Sequence, residues 1–522
     1  MSSTPFDPKV DGWSFKNFTG GNFTWDLFRK TYLGVNPTEN SAEAPLDCAY
    51  YELFQQMASG GNCGGMSLLA LALYKFGGFM GFCSPAIFYS GDALGGKGPD
   101  DENLRTSINI LQARQFNEGG IRNFLDLIKG SNLNNALYAW TRAQELIAEG
   151  DLPVLSIAAT FYGTQAHTLI PYAFGTSGSE KYMYLWDPNN PYNPDPYHNK
   201  DGNHYDPPWA PLNARMRIWD EEGWEYWSST FDWIGPGETD FEDKRLHFEG
   251  SGSGWCFVVP LSKILQKSRH PLSVGLAVTG VMTIFVTGTG AVRQITDGQG
   301  RRLYKTDADV HVSMSDFETD EKLRLPACGR WPWMGSADDG TPLPEVYFFD
   351  RPGVPDPILT ISLSGTDYHT VYGTGSDLID IRIGSESRSN EFLTLSNVTT
   401  PLQSVRVDTT TKKRSLTIRQ TRIGSDSSAW RTFEIRNLEL GKRRNVTIDV
   451  LDNFQSVLVS GLDHGISFDL KMETRKGKKL VQRDLPSLST KSKKILSIRP
   501  VDWSNLRKTA IEETMHPDPR LK

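Results

Sequence analysis

Apolar positions recur with helical spacing over roughly the first 150 residues and with strand alternation after that. Asp47 reads as the cap of a helix over Cys48 to Met57, and a glycine turn separates it from a second helix over Gly64 to Phe76. That second segment is apolar nearly all round, so it is expected to be buried on most sides, and Gly77-Gly78 ends it. Further helices fit Leu104 to Phe116, Ile121 to Lys129 and Leu133 to Glu149. From Leu152 the period shortens to that of strands, over Pro153 to Ala159, Thr168 to Phe174 and Tyr182 to Trp186.

Residues 187 to about 250 are dense in Asp, Asn, Pro, Trp and Tyr and read as a long loop region, after which Gly254 to Pro260 returns as a strand. From about His270, β-branched alternation and frequent turns predict all-β modules. The expected fold class is α+β followed by one or two all-β sandwich domains. The divisions are a lead-in over 1–45 packing on the first domain through Trp13, Phe15, Phe18, Phe23, Trp25 and Phe28, the α+β domain over 46–268, a β-rich module over 269–385, a β-sandwich module over 386–500 and a tail over 501–522. A cut near 268 is expected to leave a soluble first domain.

With 522 residues the chain is too long for a single core. Its formal net charge of −7 gives no reason to expect nucleic acid or an anionic membrane as partner, and the longest apolar run falls short of a membrane span. The N-terminus has neither a basic nor an apolar leader region, so no signal peptide is expected. Localisation stays open between the cytoplasm and export by a route without a signal peptide. Glycosylation-type sequons at Asn17, Asn22, Asn397 and Asn445 do not decide it. Five scattered cysteines without CxxC spacing argue against a disulfide scaffold and a zinc site. Asp195, His198, Asp201, His204 and Asp206 crowd one loop, but their spacing fits no recurrent metal motif, so neither a metal nor a cofactor is expected.

Chemistry concentrates at Gly60-Gly61-Asn62-Cys63-Gly64-Gly65-Met66-Ser67. A cysteine among glycines at the start of a helix lies where unpaired N–H groups favour an anion, which suits a nucleophilic thiolate. Its competing role is that of a small buried apolar residue. A reactive thiol needs a base and an orienting group. His167 enters one predicted strand and Asp187 follows the next, and a three-residue loop over Thr176-Ser177-Gly178 would pair Gly175 with Ser179. Counted outward, that register sets His167 directly opposite Asp187, with Cβ atoms about 4.5–5.5 Å apart. A bulge at Pro171 would shift it by one residue. Taken singly, His167 reads as a structural histidine and Asp187 as a turn former before Pro188.

Asn62-Cys63-Gly64-Gly65-Met66-Ser67, His167 followed by Leu169-Ile170-Pro171-Tyr172, and Trp186-Asp187-Pro188-Asn189 together resemble the papain-like cysteine peptidase superfamily, in the order of Cys, His and Asp shared by its papain-like, C39-like and transglutaminase-like members. The resemblance spans about residues 45 to 260. It implies a papain-like domain in which Cys63 is the nucleophile, His167 the general base and acid, and Asp187 the orienting residue. In papain a glutamine six residues before the cysteine helps form the oxyanion hole; here that place is Met57, and Gln56 is the nearest oxyanion donor besides the backbone N–H of Cys63. Asn62, Gly64, Gly65 and Asn189 are candidate substrate-binding residues. Glycines replace the aromatic-flanked papain motif, so peptidase specificity does not carry over.

The resemblance implies a cysteine-type peptidase or amide hydrolase acting on a peptide or protein substrate through a thioester acyl-enzyme. A transglutaminase-like acyltransferase or amidase with the same triad is the enzymatic alternative, and a non-catalytic adhesion or toxin-like binding protein is the alternative of another class. Trp209, Trp219, Trp224, Trp227 and Trp233 are candidates to wall a cleft, although packing loops onto the domain accounts for most of them. The β modules show no catalytic constellation, which leaves binding of a protein or glycan as their expected role.

Overall fold

A computed structural model describes residues 2 to 515 apart from segments 86–98, 159–165, 190–213, 228–246, 250–254, 274–280, 304–327, 332–343, 351–357, 374–376, 385–388, 397–403 and 425–428 and some scattered shorter stretches. After a short N-terminal strand, six helices follow among the described residues: α1 (Trp25–Thr31), α2 (Pro45–Phe54), α3 (Cys63–Phe76), α4 (Glu102–Arg114), α5 (Glu118–Lys129) and α6 (Ala136–Ala148). Side-chain oxygens of Thr24, Asp101, Asn117 and Asn135 accept the first free N–H groups of α1, α4, α5 and α6. The start of α2 differs from the expected Asp47 cap, because Pro45 opens the helix with its ring-fixed φ. Asp47 instead accepts the Asn36 N–H at 2.8 Å and pairs with His270 at 2.8 Å.

The central helix is α3. Every residue from Cys63 to Leu73 is buried, and each buried leucine contributes on the order of 1.5–3 kcal/mol of transfer free energy. Gly77 ends the helix in the left-handed region at φ +65°. Gly65 permits the crossing with α4, since a Cβ there would come within 2.2 Å of the Ile108 carbonyl oxygen.

An antiparallel sheet follows, built from β1 (Ser2–Ser3), β2 (Pro153–Ala158), β3 (Ala166–Ser177), β4 (Glu180–Trp186), β5 (Arg215–Ile218), β6 (Trp224–Trp227), β7 (His247–Glu249) and β8 (Trp255–Pro260). Its order is β7-β6-β5-β4-β3-β2-β8, with β1 also pairing β3. The helix α7 (Leu261–Leu265) closes the domain. The long loop expected between 187 and 250 therefore carries three strands among its described residues. Met216 with Ile218, and Trp224 with Tyr226, alternate into the core, a signal short enough to be lost among the surrounding Asp, Asn and Pro. One side of the sheet buries Val154, Ala166 and Ile170 together with α3 and the lead-in aromatics Trp13, Phe15, Phe18, Phe23, Trp25 and Phe28. The other side buries Leu155, Ile157 and Leu169 against Ala136, Ala139, Ala143 and Leu146 of α6.

From Val281 to Met515 two antiparallel sheets, of nine and eight strands among the described residues, enclose a second core. Hairpins alternate between them. Tyr368–Gly373 and Asp377–Gly384 lie in one sheet, Ser389–Ser396 and Ser404–Thr409 in the other, Arg414–Ile423 and Ala429–Leu440 in the first again, and the alternation continues to the end. Both sheets run unbroken across residue 385, because Asp377–Gly384 pairs with Arg414–Ile423 and Ile358–Gly365 pairs with Ser389–Ser396. This half is one sandwich. The expected tail also differs in part, since Thr509–Met515 pairs with Lys494–Pro500 as an edge strand.

The sandwich is not a loose appendage. Phe116 and Phe124 each place their rings 4.9 Å from Trp331, and Phe348 packs on both. Glu52 of α2 hydrogen-bonds His369 Nδ1 at 2.7 Å, while Asp380 holds the other ring nitrogen at 2.7 Å. No described helix is long and apolar enough to cross a membrane.

Candidate active site

The hairpin of β3 and β4 turns at Gly178 and Ser179. Gly178 has φ +60°, the conformation a first residue needs in a tight two-residue turn. The three-residue loop expected from the sequence is thus replaced by a shorter one, and Ser177 pairs with Glu180. Further along, the register slips by one residue, with Pro171 opposite Leu185 and Ala173 opposite Tyr184, so Tyr172 is a β-bulge. The ladder ends at Ile170 and Trp186. Continued past that point it sets Asp187 level with Leu169, two residues from His167. Side chains alternate with period two, so Asp187 and His167 share a face as diagonal neighbours rather than as the directly opposed pair expected.

Diagonal placement suffices for contact. His167 Nε2 and Asp187 Oδ1 are 2.6 Å apart, and both residues are buried, at 3% and 2% exposure. The histidine also hydrogen-bonds Cys63, which is 1% exposed at the first position of α3. With Nε2 committed to Asp187, Nδ1 is the nitrogen left for the thiol. Asp187 is held from other directions too: its Oδ1 accepts the Asn189 N–H at 2.7 Å and its Oδ2 accepts the Tyr226 hydroxyl at 2.7 Å. Burial alone would depress the His167 pKa, but the Asp187 charge and hydrogen bond, joined by the bond to Cys63, outweigh it and push it up to about 10. Burial would raise the Asp187 pKa, yet His167, Tyr226 and the Asn189 N–H keep the carboxyl well below the usual range.

Other predicted site residues have structural partners. Asn62 is buried and donates from Nδ2 to the Phe18 and Gly20 carbonyls, both at 3.0 Å. Gly65 donates its N–H to Gln112 Oε1 at 2.8 Å, and Gly64 is buried in the same turn. Gln56, in the turn just past α2, donates from Nε2 to the carbonyl of Glu52 in the last turn of that helix at 3.2 Å. Trp224 is fully buried in the sheet core, Trp219 is partly exposed and Trp227 lies in β6. Trp209, Trp233 and the acidic and histidine-rich loop over 195–206 lie outside the described residues. Among the described residues no group of three or more His, Cys, Asp or Glu side chains could hold a metal.

Two residues of the site carried no chemical signal in the sequence. Tyr226 was visible only as an inward position alternating with Trp224. Asn17, noted only as a glycosylation-type sequon, joins both halves of the site: its N–H donates to the Pro188 carbonyl at 2.8 Å and its Oδ1 accepts the Asn62 N–H at 2.9 Å. Gly61 accommodates this contact, with φ +109° and room for a Cβ only at 2.9 Å from Asn17 Nδ2. Compared with protein-family models, with curated proteins and with solved structures, the chain finds no match.

Proposed function

We propose that the chain is a cysteine hydrolase with a papain-like catalytic domain, cleaving peptide or amide bonds through Cys63, His167 and Asp187. The observation that carries this reading is the buried hydrogen-bonded chain from thiol to imidazole to carboxylate. A structural histidine needs no cysteine at a helix start on one nitrogen and a triply held carboxylate on the other.

In this mechanism His167 takes the thiol proton, and the imidazolium is stabilised by Asp187. The thiolate attacks the carbonyl carbon, forming a C–S bond while the oxygen becomes an oxyanion. Collapse breaks the C–N bond, His167 gives its proton to the leaving amine, and a thioester remains on Cys63. Water, deprotonated by His167, then releases the acid and restores the thiol. Gly65 gives its N–H to Gln112, so in the first turn of α3 the backbone N–H of Cys63 is the group suited to the oxyanion. Gln56 spends its Nε2 donor on the Glu52 carbonyl, which leaves the expected side-chain oxyanion donor engaged elsewhere.

The test is cleavage of a peptide library read by mass spectrometry, with and without a primary amine acceptor. New termini that vanish in Cys63→Ala support hydrolysis, and amine-bearing products support acyl transfer through the same thioester. Turnover undiminished in the purified Cys63→Ala variant, or no product of either kind, overturns the reading.

A further inference from the structure

In the nine-stranded sheet of the sandwich, Ile379, Phe433 and Met472 face inward to the second core. Two residues further along the same strands, the inward row carries Asp377, Arg422, Arg431, Thr474 and Val481, in register across five strands. Two arginines thus stand directly opposite each other where the pattern calls for apolar groups, and like charges so placed repel. Asp377 answers one of them, accepting from Arg422 Nε at 2.7 Å. Arg431 forms no ion pair among the described residues. Its guanidinium lies over the Trp503 ring, 5.1 Å from the centroid, and burial draws its pKa down with no anion nearby to restore it.

These side chains open onto a cavity of about 800 Å³, within the usual range for a small-molecule site. Its wall includes Arg422, Arg431, Lys476, Lys479, Phe454 and Trp503. Lys476 is in no ion pair among the described residues, and it stands opposite Lys479 across a hairpin turn. Trp503 is only 7% exposed, yet its indole N–H has no acceptor among the described residues, a cost that buried donors rarely carry. The wall's carboxylate, Asp502, accepts the Ser504 N–H at 2.7 Å and the Ser504 hydroxyl at 2.8 Å, and its charge acts on Lys479 and Lys508, which leaves Arg431 and Lys476 as the wall's cations with no ion pair among the described residues. In a chain of net charge −7, so local an excess of cations calls for a counter-ion.

We infer that this cavity binds a small ligand bearing a phosphate or sulfate ester. A tetrahedral oxyanion has enough terminal oxygens to accept the Arg431 fork, a lysine ammonium and the Trp503 N–H together, whereas a single carboxylate has two.

Calorimetric titration of the full chain with adenosine monophosphate, a sulfated disaccharide, inorganic phosphate and inorganic sulfate tests the assignment. At least one ester is expected to bind, more weakly as salt rises, and the preferred ester tells a phosphorylated from a sulfated ligand. Arg431→Gln should weaken that binding about tenfold or more, while its thermal midpoint without ligand stays equal or rises as the repulsion with Arg422 is removed. Lys413→Gln, at a residue paired with Glu439 outside the cavity wall, should change nothing. Should Arg431→Gln fail to fold, the double variant Lys476→Gln, Lys479→Gln carries the same expectation. Failure of both esters to bind, esters binding no better than the inorganic ions, or affinity unchanged in the foldable cavity variant would each overturn the proposal.

Discussion

His167 and Asp187 meet at 2.6 Å because Tyr172 is an extra residue in the strand between them. Beyond the bulge the paired residue numbers sum to 357, and before it to 356. Without the slip, Asp187 would stand level with Ile170, whose side chain faces the α3 side of the sheet. Leaving Tyr172 out of the ladder therefore keeps the carboxylate on the face of the imidazole.

Deletion of Tyr172 should accordingly leave Pro171 opposite Leu185 and Ala173 opposite Tyr184 and so keep the contact, whereas insertion of one residue between Thr168 and Leu169 should remove activity by turning His167 to the other face. Circular dichroism and thermal melting separate this from unfolding. A folded insertion variant with full turnover would show that strand register does not set the contact.

Asp187 and its supports should show graded effects. Asp187→Ala is expected to reduce kcat by roughly 10²- to 10⁴-fold with little change in KM, because imidazole orientation is lost while the substrate surface is not. Asp187→Asn should be milder, since an amide oxygen still accepts the ring N–H. Tyr226→Phe removes one of the hydrogen bonds that hold the Asp187 pKa down, so that pKa should rise toward its ordinary value. The acid limb of the rate profile should then move to higher pH, and stability should fall by about 1–3 kcal/mol. An unmoved acid limb would place Tyr226 outside the working site.

The Glu52, His369 and Asp380 cluster should make stability depend on pH. Burial would lower the His369 pKa, but Asp380 and Glu52 outweigh it and push it from 6.5 up to about 9. A raised histidine pKa contributes in full below about pH 6.5 and loses its contribution as pH rises through about 9. The parent should thus lose on the order of 3 kcal/mol across that interval, while His369→Gln melts at a nearly constant temperature there. Parallel melting curves for the two proteins would refute the coupling.

Cutting the chain after residue 268 should expose Phe116 and Phe124, whose partners Trp331 and Phe348 lie in the sandwich. The structure therefore changes the outcome expected from the sequence. The fragment should aggregate or bind a hydrophobic dye, and light scattering would show it. A monomeric, dye-silent fragment would mean that these rings repack among themselves.

How much of this was legible depended on the range over which each signal acts. The apolar run of α3 and the glycines around Cys63 are local, and they marked both the central helix and the thiol. The pairing of His167 with Asp187 needed only parity, which an error of two residues preserves. The direct opposition failed because turn length and bulge are set by tertiary packing. Tyr226 and Asn17 are ordinary residues given a role by chain segments that meet only in the fold. The inward arginines did carry a visible signal, as charges at positions 422 and 431 where alternation calls for core residues, but strand register was needed to bring them together.

The alternating hairpins of the sandwich have a consequence for its growth and repair. In both sheets strand order follows chain order from Tyr368 onward, so each new hairpin is laid on a surface that already exists. Nothing in the array waits for a distant strand to close it. A pair of hairpins could be gained or lost between two others without re-registering the rest, so the length of this half of the chain is adjustable in steps, like courses of brick, while the helical domain stays seated on its earliest strands.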